Sequence, residues 1–201
     1  MIPENIEFIL ASASARRSEL LTQMGELFTV KPANCDETVE TSGSIRENAA
    51  RLAKKKADYI ADHIDKPSLV IGADTLVSVD GKILGQPKNR EHSVQMLKLL
   101  SGKIHEVTTG VCLVGILPNY SKSFYTTTKV EFNILSDEEI ERYVNTDEPA
   151  DKAGAYAIQG KAAVFVREIH GDYYNVVGLP LSKLYHELKL YCKYLKTIQP
   201  A

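Results

Sequence analysis

Cysteine is scarce in this 201-residue sequence: only Cys35, Cys112 and Cys192 are present, far apart. They have no metal-ligand spacing, and an odd count without a secretory signal predicts reduced thiols in a cytoplasmic protein, each most simply a buried filler. Long apolar runs are also missing. The N-terminus carries acids, and no stretch is long enough to span a bilayer, which argues against a membrane protein. Neither charge sign dominates, with 24 Lys and Arg against 26 Asp and Glu and a formal net charge of −2. No whole-protein field therefore draws the chain to nucleic acid or to a membrane surface, and any anion site must be local. Repeats, low-complexity runs and linkers are absent, so residues 1–201 read as a single domain. No Walker A loop, GxGxxG, zinc motif or nucleophile elbow occurs, which leaves covalent serine or cysteine catalysis without support.

What is present is an ordinary globular composition, 44% hydrophobic and 25% charged, long enough to bury a sizeable core. Strands and helices alternate. Residues 6–11 predict a strand, 15–24 a helix, 28–32 a short strand and 44–64 a long helix. The apolar run 69–79 meets the hairpin signal Asp80-Gly81 and returns through 82–84. Residues 90–100 read as helix. Two Val-, Thr- and aromatic-rich strands follow at about 104–116 and 123–134, with antiparallel pairing expected. Ser136 to Glu139 forms a capping box opening a helix to about 145. Strands are expected near 163–169 and 173–177. A last helix after Pro180 carries Leu181, Leu184, Tyr185, Leu188, Cys192 and Leu195 on one stripe. The pattern is a mixed sheet flanked by helices, an α/β or α+β domain.

Three features point to chemistry. In Phe8 to Leu21, a short apolar run gives way to Ser12 and Ser14, both cap candidates, and then to Arg16 and Arg17 in the first turn of a helix. Arginines oppose the helix dipole there, and an anion on the exposed N–H groups removes the conflict. Two solvated surface arginines fit the same pattern. In helix 44–64, Ile45, Ala49, Leu52, Ala53, Ile60 and Ile64 form the apolar stripe, and Lys56 falls within it. It either snorkels past the core edge or aims an ammonium at an anionic ligand; Lys54 and Lys55 belong to the solvated face. Asp74 interrupts the apolar run at Gly72-Ala73-Asp74-Thr75. A buried carboxylate there costs several kcal/mol unless paired or metal-bound, roughly as any buried charge does. Metal ligation or general-base work accounts for it better than a turn does. Two loops add candidates of less weight: Cys35-Asp36-Glu37, and Asp151 to Gly160, where Gln159 can read a base edge through its amide. His105, in Ser101-Gly102-Lys103-Ile104-His105, reads as structural.

Taken in order, Ser12 to Arg17, Gly72 to Thr75, Ser101 to His105, Asp151 to Gly160 and Gly178-Leu179-Pro180-Leu181 resemble Maf-family nucleotide pyrophosphatases over essentially the whole chain. Residues 151–160 and 171–178 are similar to the branch acting on dTTP and UTP. The resemblance implies the Maf/inosine-triphosphatase-like fold, with a bent mixed sheet and a central cleft between two lobes. It implies hydrolysis between the α and β phosphates, a divalent cation (Mg2+ or Mn2+) and a homodimer. By the same likeness Asp74 takes the proton from water and Glu37 assists with metal or water, the two serving as metal ligands. Ser12, Arg16, Arg17, Lys56 and Lys152 hold phosphates; Arg16, Thr75 and Gln159 bear on base choice. Two positions depart from the pattern. Ala15 replaces a common proline, and Gln86 replaces a usual lysine, so that phosphate meets a hydrogen-bond donor without charge. Two other readings stay open, a nucleotide-binding regulator of cell division that does not cut and a sanitising enzyme for modified nucleotides.

Overall fold

Apolar residues in strands and on helix faces fix most of the architecture. The computed structural model describes residues 1–40, 43–146 and 148–198. Among these residues seven strands form one sheet: β1 (Glu7–Leu10), β2 (Thr29–Val30), β3 (Ser68–Val79), β4 (Lys82–Leu84), β5 (Ile104–Ile116), β6 (Tyr120–Phe132) and β7 (Val166–His170). Their order is β2-β1-β3-β5-β6-β7, with β4 on β3. β1 runs parallel to both β2 and β3, whereas β4 and β7 pair antiparallel with β3 and β6. The sheet is mixed, as the sequence pattern predicts. Among the described residues six α-helices accompany it: α1 (Ala15–Gln23), α2 (Ile45–Ala61), α3 (Arg90–Leu100), α4 (Asp137–Val144), α5 (Tyr173–Val177) and α6 (Leu181–Ile198). Among the described residues no helix is long and apolar enough to cross a membrane.

The chain divides into two compact units. The first comprises Met1–Asp74, Thr109–Tyr125 and the segment from Gly178 through α6; the second comprises Thr75–Thr108 and Thr126–Val177. In the first, Ile9, Ala11, Ala53, Ala57, Ile60, Val70 and Cys112 make a continuous buried cluster that joins α2 to β1, β3 and β5. Helix α2 starts at a capping box in which the Ser44 hydroxyl and the Glu47 carboxylate satisfy each other's backbone N–H. Cys112 is a buried filler, but Cys35 and Cys192 are only partly covered. In the second unit, the β3–β4 hairpin turns at Asp80 and Gly81, both at positive φ, the conformation a two-residue turn requires. The expected Ser136–Glu139 capping box opens α4.

Three expectations need correction. Residues 173–177 form a turn of helix, not a strand, because the Asp172 carboxylate accepts from the N–H groups of Tyr174 and Asn175 at 2.8 and 3.3 Å. Asn175 is then drawn inward, its amide donating to Val107 O and Thr128 Oγ1. The strand expected at 163–169 begins only at Val166, since Lys161–Phe165 coil as a 3-10 helix. On α6 the buried stripe runs Leu181, Leu184, Leu188, Tyr191 and Leu195, in steps of three and four residues. Tyr185 and Cys192, one residue off that register, lie outside it, Tyr185 exposed and Cys192 partly so.

The second unit is organised around an aromatic cluster. His105 meets Phe132 and Tyr156 edge to face, and Tyr143 and Phe165 continue the group. The Nε2 of His105 lies 2.8 Å from the Tyr156 hydroxyl, while its Nδ1 is buried with no partner among the described residues. His105 is structural, as its sequence context suggests. Burial pushes its pKa from the ordinary 6.5 down to about 4. The unfolded chain therefore takes up a proton as pH falls through 6.5, and the folded chain does not until about 4. Stability is full above 6.5 and should fall by roughly 3 kcal/mol across that window. Urea midpoints measured from pH 7 to pH 4 should show this acid limb in the native protein and a flatter one in His105→Phe. Equal slopes in the two proteins would exclude His105 as its source.

Candidate active site

The candidate residues of the first unit are placed by three elements. β1 ends at Leu10, and the chain passes through buried Ala11 and Ser12 into α1. Ser14 occupies the N-cap position in an extended conformation but makes no side-chain cap bond, contrary to expectation. The Ser12 Oγ accepts from the Ser14 N–H at 3.3 Å and from Arg17 Nη1 at 3.0 Å. Arg17 is buried and folds back from the first turn, where its Nε donates to Gly178 O at 3.0 Å. Burial pushes its pKa below the ordinary guanidinium range, and the negative charge of Asp74 pulls it back up. The solvated-arginine reading therefore fails for Arg17, while Arg16 is only half-buried.

Helix α2 delivers Lys56. Its contact with the sheet is backbone to backbone: a Cβ on Gly72 would stand 2.2 Å from Ala53 O and 2.7 Å from Ala57 N, and one on Gly110 would stand 2.1 Å from Ala49 O. Glycine in β3 and β5, faced by alanine on α2, is what permits this approach. Lys56 precedes Ala57, and Asp74 lies two residues beyond Gly72, so the close contact brings the two side chains together. The Lys56 ammonium sits 2.6 Å from Asp74 Oδ1 and 2.9 Å from Glu37 Oε2. Side-chain exposure is 8% for Lys56, 10% for Asp74 and 52% for Glu37. Lys56 is thus buried and not snorkelling to solvent, with carboxylates as the partners of its ammonium. Each buried charge compensates the other, and removing one partner from such a pair typically costs about 3–5 kcal/mol.

The second unit holds the remaining candidates. Gln86 is exposed and donates through Nε2 to Asp151 O at 3.3 Å. The Lys152 ammonium pairs with the Asp151 carboxylate. Gly154 N donates to Gly85 O at 3.0 Å, so the Gln86 turn and the Lys152 loop are fastened together. Gln159 lies exposed on the same loop, beyond the Tyr156 anchor on His105, and Thr75 is half-buried at the start of this unit. Asp151 and Gly178 were not singled out by residue type. Asp151 carries the link between Gln86 and Lys152, and Gly178 acts through a carbonyl, for which a sequence carries no signal.

The donor chemistry at Asp74 and Glu37 fits a hard divalent cation, since oxygens of two carboxylates converge on one positive group, the Lys56 ammonium. A different group, Glu131, Glu168 and His170 on β6 and β7, has three ligand atoms within 4.8 Å of one another. One of its carboxylates already has a cationic partner, Arg167 on Glu131 at 2.9 Å, and His170 stands beside Glu168 at 3.6 Å. Cys35, next to the acidic pair, is no activated nucleophile: burial pushes its thiol pKa up, although Lys56 opposes the shift.

The sheet is mixed α/β, and it carries a buried carboxylate–ammonium centre. The Maf-like protein family model matches residues 7–191, and the chain belongs to that family. A dTTP/UTP pyrophosphatase of Alkaliphilus oremlandii is 51% identical over 178 residues, covering 89% of this chain and 92% of that one. The dTTP/UTP pyrophosphatase of Caldicellulosiruptor bescii is 50% identical over 184 residues, covering 88% and 90%. That of Clostridium novyi is 46% identical over 181 residues, covering 90% and 95%. Among solved structures, a HAM1 protein from Coxiella burnetii aligns over 92% of this chain and 98% of its own, at 16% identity and a TM-score of 0.45.

Because α2 is held against β3 at Gly72, Gly72→Ala should force the two apart. The expected loss of stability is about 1–3 kcal/mol, the usual range for overpacking, read as a lowered urea midpoint. A midpoint within error of the native protein would show that the helix has room the geometry denies it.

Proposed function

We propose that this chain is a nucleoside triphosphate pyrophosphatase acting on dTTP and UTP, releasing the nucleoside monophosphate and pyrophosphate. The buried Asp74–Lys56 pair, with Glu37 on the same ammonium, carries the proposal; curated relatives of that name at about half identity support the substrate class.

In this reading Ser12, Arg16, Arg17 and Lys56 bind phosphate oxygens, a role the family resemblance also gives Gln86 and Lys152. Arg17 is oriented in advance by its bonds to Ser12 and Gly178, so little freedom is lost when it meets a phosphate. Asp74 accepts a proton from water as the water oxygen bonds to the α-phosphorus. The bond from that phosphorus to the oxygen bridging to the β-phosphate breaks, and pyrophosphate leaves with the electron pair. Its charge is met by the Lys56 ammonium and the Arg17 guanidinium. Asp74 and Glu37 would hold a divalent cation, Mg2+ or Mn2+, which supplies further neutralisation of phosphate charge. The family resemblance further gives Gln159, Thr75 and Arg16 a part in base choice and implies a homodimer, and the odd cysteine count places it in the cytoplasm.

A second reading, nucleotide binding without cutting, is motivated by Gln86, whose amide is engaged with a main-chain carbonyl and brings no charge. Pyrophosphate release from a panel of triphosphates (dTTP, UTP, CTP, purines, modified pyrimidines) with Mg2+ or Mn2+ separates the readings. Fast release from dTTP and UTP is expected. Binding across the panel without release would establish the second reading, and a marked preference for modified pyrimidines would make this a sanitising enzyme.

Asp74→Asn should lower kcat by about 10²–10⁴, the usual contribution of a general base, in protein whose circular dichroism is unchanged. Near-native turnover would remove Asp74 from that role. Gln159→Ala should instead lower the ratio of dTTP to purine turnover, and a constant ratio would clear Gln159 of any part in base choice.

A further inference from the structure

Lys56 stands where a cation is wanted. Its ammonium occupies the place on which Asp74 and Glu37 converge, 2.6 and 2.9 Å from their oxygens, with 8% of its side chain exposed. Any metal ion using both carboxylates must share them with this ammonium or displace it. Building on the pyrophosphatase reading, we propose that Lys56 is a resident cation which blocks the metal position in the nucleotide-free protein. Triphosphate draws its ammonium away, so that metal and nucleotide bind as a linked pair.

Charge supports this order. Asp74 and Glu37 are balanced by Lys56 and by Arg17, which is buried and feels the charge of both carboxylates. Adding a divalent ion alone would leave two uncompensated positive charges in a largely buried region, and such charge is costly. Adding it with a triphosphate removes the excess and offers Lys56 phosphate oxygens in place of carboxylates. An ammonium on a flexible four-carbon stem can make that exchange without moving the helix that bears it. Glu37, half exposed on its loop, is the partner most easily released.

Binding of Mn2+ without nucleotide, followed by electron paramagnetic resonance on the full chain, tests the proposal independently of hydrolysis. Lys56→Met should bind Mn2+ at least about tenfold more tightly than the native protein, roughly 1.4 kcal/mol. The control is Lys55→Met, which removes the neighbouring positive charge but no contact with Asp74 or Glu37, since Lys55 pairs with Asp36 at 3.0 Å. A general field effect would tighten both variants alike; displacement requires the gain to be confined to Lys56→Met. Equal gains, or no gain, would overturn the proposal.

Should Lys56→Met not fold, the native protein supplies a second readout. The side-chain ammonium resonance of Lys56, assigned by its absence in Lys56→Arg, should move when Mg2+ and α,β-methylene dTTP are added together. A resonance that stays fixed while the analogue binds would also overturn it. Failure of the pyrophosphatase reading is seen separately, as no pyrophosphate release from any triphosphate in the panel.

Discussion

The buried pair of Lys56 and Asp74 is the interaction on which the first unit depends. An ammonium and a carboxylate removed from water each carry a desolvation cost of several kcal/mol, which only a close partner offsets. The partner must be within hydrogen-bond reach, at 2.6 Å here. That distance in turn requires α2 to rest on β3 with no side chain between their backbones. Glycine at 72 and 110 and alanine at 49, 53 and 57 follow from that requirement as much as from helix or strand propensity. The charged centre and the tight apolar packing beside it are two consequences of one contact.

The second unit uses a different device. Its loop 151–160 has little regular structure, so its course is set by hydrogen bonds made one residue at a time. Gly154 is fixed on Gly85, the Asp151 carbonyl on Gln86 and the Tyr156 hydroxyl on His105, while the Ala157 N–H donates to the Tyr143 hydroxyl. The aromatic cluster beneath supplies rigidity that the loop lacks. The neutral His105 is part of that support, since burial keeps its ring uncharged at ordinary pH.

Regular elements were legible because their signals are local. The 3.6-residue stripe of α2, the continuous apolar run of β3, the Asp80-Gly81 turn and the Ser136–Glu139 box each need only a few neighbouring residues to be read. Where the reading failed, specific side-chain hydrogen bonds decided what residue type did not. Residues 173–177 look like a strand by composition, yet Asp172 and the buried Asn175 turn them into helix through bonds to backbone groups at 107 and near 174. Ser14 has the residue type and the position of a cap, yet its side chain makes no cap bond.

The sequence by itself determined that Asp74 and Lys56 are anomalies, because a charge inside an apolar run or stripe demands compensation wherever the chain goes. It also determined, through motif order over most of its length, the family to which the protein belongs. The partner of each charge was decided only by tertiary structure. Thirty-seven, fifty-six and seventy-four are remote in sequence, and no pattern of residues says that two carboxylates converge on one ammonium. Ion pairing depends on distances of a few ångströms, and those are set by how closely α2 and β3 can approach, a property of the packed backbone.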